Sequence, residues 1–267
     1  MYILAVASQK GGSGKTTLTG HLAVEAERQG MGPVAMIDTD PQGSLTDWWN
    51  VREAETPLFV NSSVPYLSED LAKLKEAGIK LVIIDTPPAI TTSIQSVVNQ
   101  VDLVVIPTRP SPHDLRAAGA TVDLAERSEK ALIFVINAAA PRARLTTEAA
   151  IALSQHGAVA PVVIHNRQDF AASMTDGRTV MEITPSSKAN IKSTGEISAL
   201  WAYIAERLRS VALKPLFKPA AQRVAFGKRR HSSQGFHAPA VAAQPRAVQV
   251  SEAVPTHSGH KSQERVN

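Results

Sequence analysis

The chain has 267 residues, 43% of them apolar, with 28 Lys+Arg against 24 Asp+Glu and a formal net charge of +4. That length holds one sizeable core, alone or followed by a tail. The lack of cysteine excludes disulfides, thiolate zinc sites, iron–sulfur ligation and thiol nucleophiles, and no apolar run reaches the roughly 18 residues of a membrane span. Met1-Tyr2-Ile3-Leu4 lacks the basic region and cleavage site of a signal peptide, so a cytoplasmic protein is expected.

In chain order the pattern predicts strand 2–7, helix 15–29, strand 33–37, helix 67–77, strand 80–84 and helix 93–100. Strand 103–106, helix 115–129, strand 131–136, helix 146–156, strand 159–164 and helix 196–209 follow. Gly30 and Gly78 stop the first two helices, and Ser68 followed by Asp70 and Leu71 marks the start of the second. The strand segments are Val/Ile-rich and continuous rather than alternating, as in parallel strands covered on both faces. The βαβ alternation predicts an α/β fold: a doubly wound, mostly parallel sheet with helices on both faces and right-handed crossovers. Two regions are expected, a globular domain over 1–213 and a disordered basic Pro/Ala-rich tail over 214–267. The tail has nine basic residues opposed only by Glu252 and Glu264, a net +7 that leaves −3 on residues 1–213. The basic charge therefore says little about the globular part.

The sharpest motif is Lys10-Gly11-Gly12-Ser13-Gly14-Lys15-Thr16-Thr17, between the first strand and the first helix. Its glycines permit a tight turn whose backbone N–H groups point at phosphate oxygens, and the helix N-terminus adds partial positive charge. Lys15 is expected to reach the terminal phosphates and the Thr16 hydroxyl to sit on Mg²⁺. Gln9 stands where the standard phosphate-loop pattern has glycine, and Lys10 precedes the glycine pair instead. This form resembles the deviant Walker A motif of the ParA/MinD group of P-loop ATPases. The resemblance implies ATP and Mg²⁺ as cofactors, an ATP-sandwich homodimer, and Lys10 as the lysine that crosses the interface to the partner subunit's nucleotide.

Two carboxylate motifs follow. Asp38-Thr39-Asp40-Pro41-Gln42-Gly43 ends the second strand at the carboxyl edge, where doubly wound sheets bind ligands. It is similar to the family's second nucleotide motif, which implies that Asp40 positions the attacking water and Asp38 supports the Mg²⁺ shell and Lys15. Leu81-Val82-Ile83-Ile84-Asp85 is four apolar residues and then an acid, the Walker B arrangement. A carboxylate at the end of a buried strand is costly unless it meets a cation, so Asp85 is expected to reach Mg²⁺. Asn137 ends a later strand, where related ATPases use an asparagine against adenine; a turn-forming asparagine is the alternative. Arg109, after strand 103–106, is left open between a catalytic role and a loop charge.

The resemblance covers residues 1–210, including Gly177-Arg178 and Pro185. Some ParA proteins bind DNA non-specifically through arginines of this C-terminal region, which makes Arg167, Arg178, Lys188, Lys192 and Arg207 DNA-binding candidates. Asp169 departs from the pattern, since several ParA proteins have a basic residue there. A phosphate loop beginning by residue 8 is expected to leave no N-terminal helix-turn-helix domain. The resemblance implies an ATP hydrolase that partitions a plasmid or chromosome with a ParB-like stimulating partner, cytoplasmic and nucleoid-associated. Two alternatives stand beside it: positioning of a protein cargo such as a chemotaxis cluster, and a MinD-like membrane-associated regulator of cell division. The last requires a C-terminal amphipathic helix, and Pro215 and Pro219 break the one candidate, so membrane binding is not expected.

Overall fold

The computed structural model describes residues 1–88, 92–183 and 188–213; the expected tail, 214–267, and Pro185 lie outside the described residues. The elements are β1 (Tyr2–Val6), α1 (Lys15–Arg28), β2 (Val34–Asp38), α2 (Ser44–Asn50), β3 (Leu58–Val60), α3 (Leu67–Glu76), β4 (Leu81–Asp85) and α4 (Thr92–Asn99). Then come β5 (Leu103–Thr108), α5 (Pro112–Arg127), β6 (Ala131–Ile136), α6 (Arg144–Ser154), β7 (Ala158–Val159), α7 (Gln168–Met174) and α8 (Lys188–Leu213). The seven strands form one sheet in the order β3-β2-β4-β1-β5-β6-β7, every neighbouring pair parallel. The expected doubly wound α/β fold is what the chain adopts.

Alternation along the central strand feeds two cores. Leu4 and Val6 face a layer with Leu18 and Leu22 of α1, Trp48 of α2, Phe170 of α7 and Trp201 of α8. Ala5 faces the other layer, with Leu71 of α3, Val97 of α4, Val122 of α5 and Leu153 of α6. Both faces of β1, β2, β4 and β5 are thus buried, which is why these strands read as continuous apolar runs.

Several expectations shift. The strand expected at 159–164 is the short β7, Ala158–Val159; Ala160 and Ile164 still donate to the Phe134 and Ile136 carbonyls of β6, but Pro161 between them has no N–H for a ladder. The helix expected at 196–209 is part of the longer α8. α3 begins at Leu67 with no side-chain cap, so Ser68 lies inside its first turn rather than starting it. β3, α2 and α7 lie outside the predicted set.

Helix α2 is fastened at both ends. At its start Asp38 Oδ2 accepts bonds from the N–H groups of Leu45 and Thr46, both at 3.0 Å, and from the Thr46 hydroxyl. At its end Trp48 Nε1 donates to the Arg178 carbonyl at 3.2 Å, and the Trp48 ring lies against Gly20 of α1. Arg52, just past α2, donates to the Gly177 carbonyl at 2.7 Å and forms an ion pair with Glu182. Gly177 has φ +73 and packs so closely on Arg52 that a Cβ would come within 2.3 Å of its Cα.

His21 of α1 ties the same segment to the phosphate loop. Its Nδ1 donates to the Thr17 carbonyl at 2.7 Å, and its Nε2 accepts from the Val180 N–H at 3.2 Å. Complete burial pushes its pKa down to about 4, so the ring is neutral with the proton on Nδ1. Between its ordinary value of 6.5 and about 4 the unfolded chain binds a proton that the fold refuses. Stability is therefore fully present above pH 6.5 and is lost as pH falls through that window, by about 3 kcal/mol at most. Asp85, whose pKa is raised, pulls in the opposite direction, so the comparison with His21→Asn isolates the histidine. In urea unfolding, the wild type is expected to lose about 2–3 kcal/mol more than His21→Asn between pH 7 and about pH 4.5. Parallel losses would show that His21 titrates normally.

Candidate nucleotide site

The carboxyl edge of β1 gathers the glycine loop and the acids of both neighbouring motifs. Gly12 and Gly14 hold left-handed conformations, φ +71 and +92, which lets residues 7–14 turn from β1 into α1. Asn137, at the end of β6, clamps the loop from the far side: its Nδ2 donates to the Ser13 carbonyl at 2.7 Å. A Cβ on Gly14 would fall 2.2 Å from that Nδ2, so glycine is required there on two counts. α1 has no side-chain cap and no acid in its first turn. Its leading N–H groups and positive dipole end are left to an anion.

Lys15 opens α1 and is only 7% exposed. Burial pulls its pKa below the ordinary lysine range, partly offset by the charges of Asp85 and Asp40. Asp85 ends β4 beside Asp38 of β2, its register partner on the neighbouring strand. Asp85 Oδ2 accepts the Thr16 hydroxyl at 2.6 Å, while its Oδ1 is buried with no hydrogen-bond partner. Burial is the main force raising its pKa to about 7; the Thr16 hydroxyl opposes this and the nearby Asp38 adds to it. A buried carboxylate left half satisfied, with a hydroxyl beside it and a second acid adjacent, suits a divalent cation. Among the described residues no cluster of three or more His, Asp or Glu could hold a metal by itself. That fits Mg²⁺, which takes one or two protein oxygens and completes its shell from phosphate and water.

Asp38 stands where the motif places it, but its carboxylate is already engaged. Oδ2 caps α2, and Oδ1 accepts the Asp40 N–H at 3.0 Å. Asp40 is half-buried and accepts the Gln42 N–H, starting the turn that closes on Gly43. The Thr39 hydroxyl donates to the Asp85 carbonyl at 2.7 Å, and the Thr86 hydroxyl to the Val6 carbonyl at 3.0 Å. These bonds lock the strand ends into one rigid edge.

Lys10 is half exposed and its Nζ lies 2.9 Å from Asp114 Oδ2, a carboxylate that is 5% exposed. The same carboxylate accepts the Ser111 hydroxyl, and Ser111 in turn caps α5 by accepting the Asp114 N–H. Asp114 is absent from the residues expected from the sequence. Its local signal is Ser111-Pro112-His113-Asp114, a capping box with proline at the first helical position.

Beside the loop opens a cavity of about 230 Å³ whose lining includes Gly14, Thr17, Arg109, Asn137, His165 and Phe170. Asn137 lines this cavity while spending one amide hydrogen on the loop. The five DNA-binding candidates do not converge. Arg167 is drawn to the cavity wall by an ion pair with Glu196, which also accepts from His165 at 2.8 Å. Arg178 is exposed and paired with Asp176. Lys192 is exposed on the first turns of α8; Lys188 opens that helix, and its side chain lies outside the described residues. Arg207 lies 15 residues further along, about 22 Å at helical rise, near the starts of β5 and β6 with its guanidinium 5.7 Å from the Tyr203 ring centre. Of the five, Arg178 and Lys192 have exposed side chains; Arg167 and Arg207 are half-buried at opposite ends of the sheet.

A family model described as the CobQ/CobB/MinD/ParA nucleotide binding domain matches residues 4–180. The chain is 28% identical over 197 residues to the maintenance of carboxysome distribution protein A of Halothiobacillus neapolitanus, 68% of this chain and 88% of that protein. It is 33% identical over 134 residues to Protein ParA of Rhizobium radiobacter, 49% of this chain and 60% of that one. Among solved structures, the septum site-determining protein MinD of Pyrococcus horikoshii, complexed with Mg-ADP, is similar with a TM-score of 0.64 and 17% identity, over 79% of this chain and 98% of that one. An ATP complex of a Cyanothece McdA variant gives 0.61 and 17%, over 83% and 99%. At such identities the likeness to solved structures is one of fold.

Proposed function

The chain belongs to the CobQ/CobB/MinD/ParA nucleotide-binding family, as a ParA/MinD-type P-loop ATPase that uses ATP and Mg²⁺, and we propose that it is a ParA-type positioning ATPase. In this reading ATP joins two copies into a sandwich dimer, the dimer binds DNA non-specifically, and hydrolysis stimulated by a partner releases it. One observation carries the proposal: Lys10 opens the phosphate-loop motif, and among the described residues its side chain has a single polar contact, to Asp114. A cation on one releasable contact can be handed to a second subunit, and such a lysine has no use in a monomeric phosphate loop.

The residues divide the work. The N–H groups of Gly11, Gly12, Ser13 and Gly14 cradle the phosphates, and Thr17 borders the nucleoside cavity. Lys15, pre-positioned by burial, neutralises the terminal phosphates. Thr16 and Asp85 hold Mg²⁺, while Asp38 shapes that edge through α2. When bound, the ion draws charge from the phosphate oxygens. Asp40 holds the water in line and takes its proton as ATP is split to ADP and phosphate; the step needs positioning and charge neutralisation more than covalent chemistry. Lys10 of each copy completes the other's site.

Arg178, Lys192 and Lys188 are the proposed phosphate contacts on DNA, doubled by dimerisation. The half-buried Arg167 and Arg207 make weaker candidates. Among the described residues no helix is long and apolar enough to cross a membrane, and the 213–219 segment, on which a MinD-like membrane role would depend, lies outside them apart from its first backbone residue. Localisation on the nucleoid within the cytoplasm follows from the DNA step. The cargo has two readings. A plasmid or chromosome with a ParB-like partner is the first. A protein assembly is the second, favoured by the likeness to a carboxysome-distribution protein along 88% of its length.

Retention of random-sequence DNA with ATP·Mg²⁺, ADP·Mg²⁺ or no nucleotide tests the proposal. Binding is expected with ATP only and is expected to weaken steeply with salt. Equal retention in all three conditions would sink the DNA step, and ATP hydrolysis without any dimer would sink the sandwich.

A further inference from the structure

Arg109 is the remaining cation at the phosphate loop. It follows β5 in a turn pinned on both sides: Thr108 accepts the Asn137 N–H at 2.9 Å, and Arg109's own carbonyl accepts the Ser111 N–H at 2.7 Å just where α5 is capped. Its Nη2 lies 3.7 Å from the place a Cβ on Gly12 would occupy, and its side chain lines the cavity shared by Gly14, Thr17 and Asn137. Among the described residues Arg109 has no carboxylate and no side-chain hydrogen bond. Arg52, Arg144, Arg167 and Arg178 each sit on an acid. Lys10, the half-exposed cation here, is held by Asp114.

We propose that Arg109 is a phosphate-contacting residue of the nucleotide site, closing on the polyphosphate of a nucleoside di- or triphosphate from the β5 side, opposite the loop. The inference rests on the nucleotide-binding reading above. Its physical basis is a guanidinium with no acid beside it among the described residues, close to a glycine turn whose N–H groups suit an anion. A planar fork of N–H donors pairs with two phosphate oxygens at once, which an ammonium does not reproduce. Arg109 acts in cis, so it supplies charge before a second copy brings Lys10.

The test measures ATP and ADP affinity of the full chain and its Arg109→Gln, Arg109→Lys and Arg127→Gln variants, with Lys15→Ala alongside. Arg127, exposed at the far end of α5, controls for net charge. Arg109→Gln is expected to weaken ATP and ADP binding by roughly tenfold or more, Arg109→Lys to recover part of it, and Arg127→Gln to change neither. Melting of the nucleotide-free protein is expected to be the same in all the arginine variants, because Arg109 has no side-chain partner to lose among the described residues. Affinities for Arg109→Gln within twofold of wild type, while Lys15→Ala binds far more weakly, would overturn the role of Arg109 alone. If Lys15→Ala also binds normally, the nucleotide reading has failed and Arg109 falls with it. A lowered melting temperature for Arg109→Gln without nucleotide would make the residue structural.

Discussion

Lys15→Ala is expected to lower ATP affinity on the order of 100-fold while leaving the nucleotide-free fold intact. Charge-assisted bonds from one ammonium to phosphate contribute about 1.5–3 kcal/mol in a sheltered site, and each 1.4 kcal/mol is a factor of ten. Lys15 is almost fully buried, so little water competes for that ammonium. The folded protein already bears the cost of burying it, visible in its lowered pKa. Removing it lifts that cost but leaves Asp85 without a neighbouring positive charge, and these effects on the empty protein oppose each other. ATP raises the melting temperature through binding to the native state alone, so the stabilisation by millimolar ATP should fall by up to about 2.7 kcal/mol in Lys15→Ala. A variant still stabilised as strongly as wild type would show that nucleotide does not engage this loop.

Asp40→Ala is expected to separate binding from turnover. The loss of a positioned proton acceptor lowers hydrolysis roughly 10²- to 10³-fold. ATP affinity should hold, because Lys15, Thr16 and the loop amides remain. Slow hydrolysis with retained binding predicts an ATP-bound dimer that persists, seen as a stable doubling of mass in light scattering with ATP but not ADP. Asp40 also accepts the Gln42 N–H, so Asp40→Asn is the companion variant that keeps an acceptor for the turn. Phosphate release at the wild-type rate in both variants would remove Asp40 from water positioning.

The sequence disclosed the parts of the site that are local and hid those that are not. The phosphate loop is a run of eight residues, and Asp85 directly follows four apolar residues of its own strand, so both could be read from spacing. The Lys10–Asp114 and Asn137–Ser13 contacts join residues 104 and 124 apart, and no local pattern couples them. The fold shows the same division. The four central strands were legible because burial on both faces enforces continuous apolar runs. β3 was missed because it is three residues long and sits at an exposed edge. α2 was missed because its cap is not beside it: Gly43 precedes it in a left-handed turn, and Asp38, at the end of the preceding strand, supplies the acceptor. Surface charge was the least legible. The family resemblance pointed to five basic residues of the C-terminal region, but only the fold shows that Arg167 is occupied by Glu196 and that Arg207 lies at the opposite end of the sheet.

The fastening of α2 also bears on how this protein could be rebuilt. The end of α2 and the segment leading into α8 meet through Trp48, Arg52, Gly177 and Glu182, about 130 positions apart in the chain. A hybrid that takes its chain from residue 177 onward from a relative would inherit mismatched halves of that joint unless residues 44–56 travelled with it. Cutting and splicing therefore have a natural unit here that is discontinuous in sequence, and shuffling that respects only linear boundaries would separate pieces the fold treats as one.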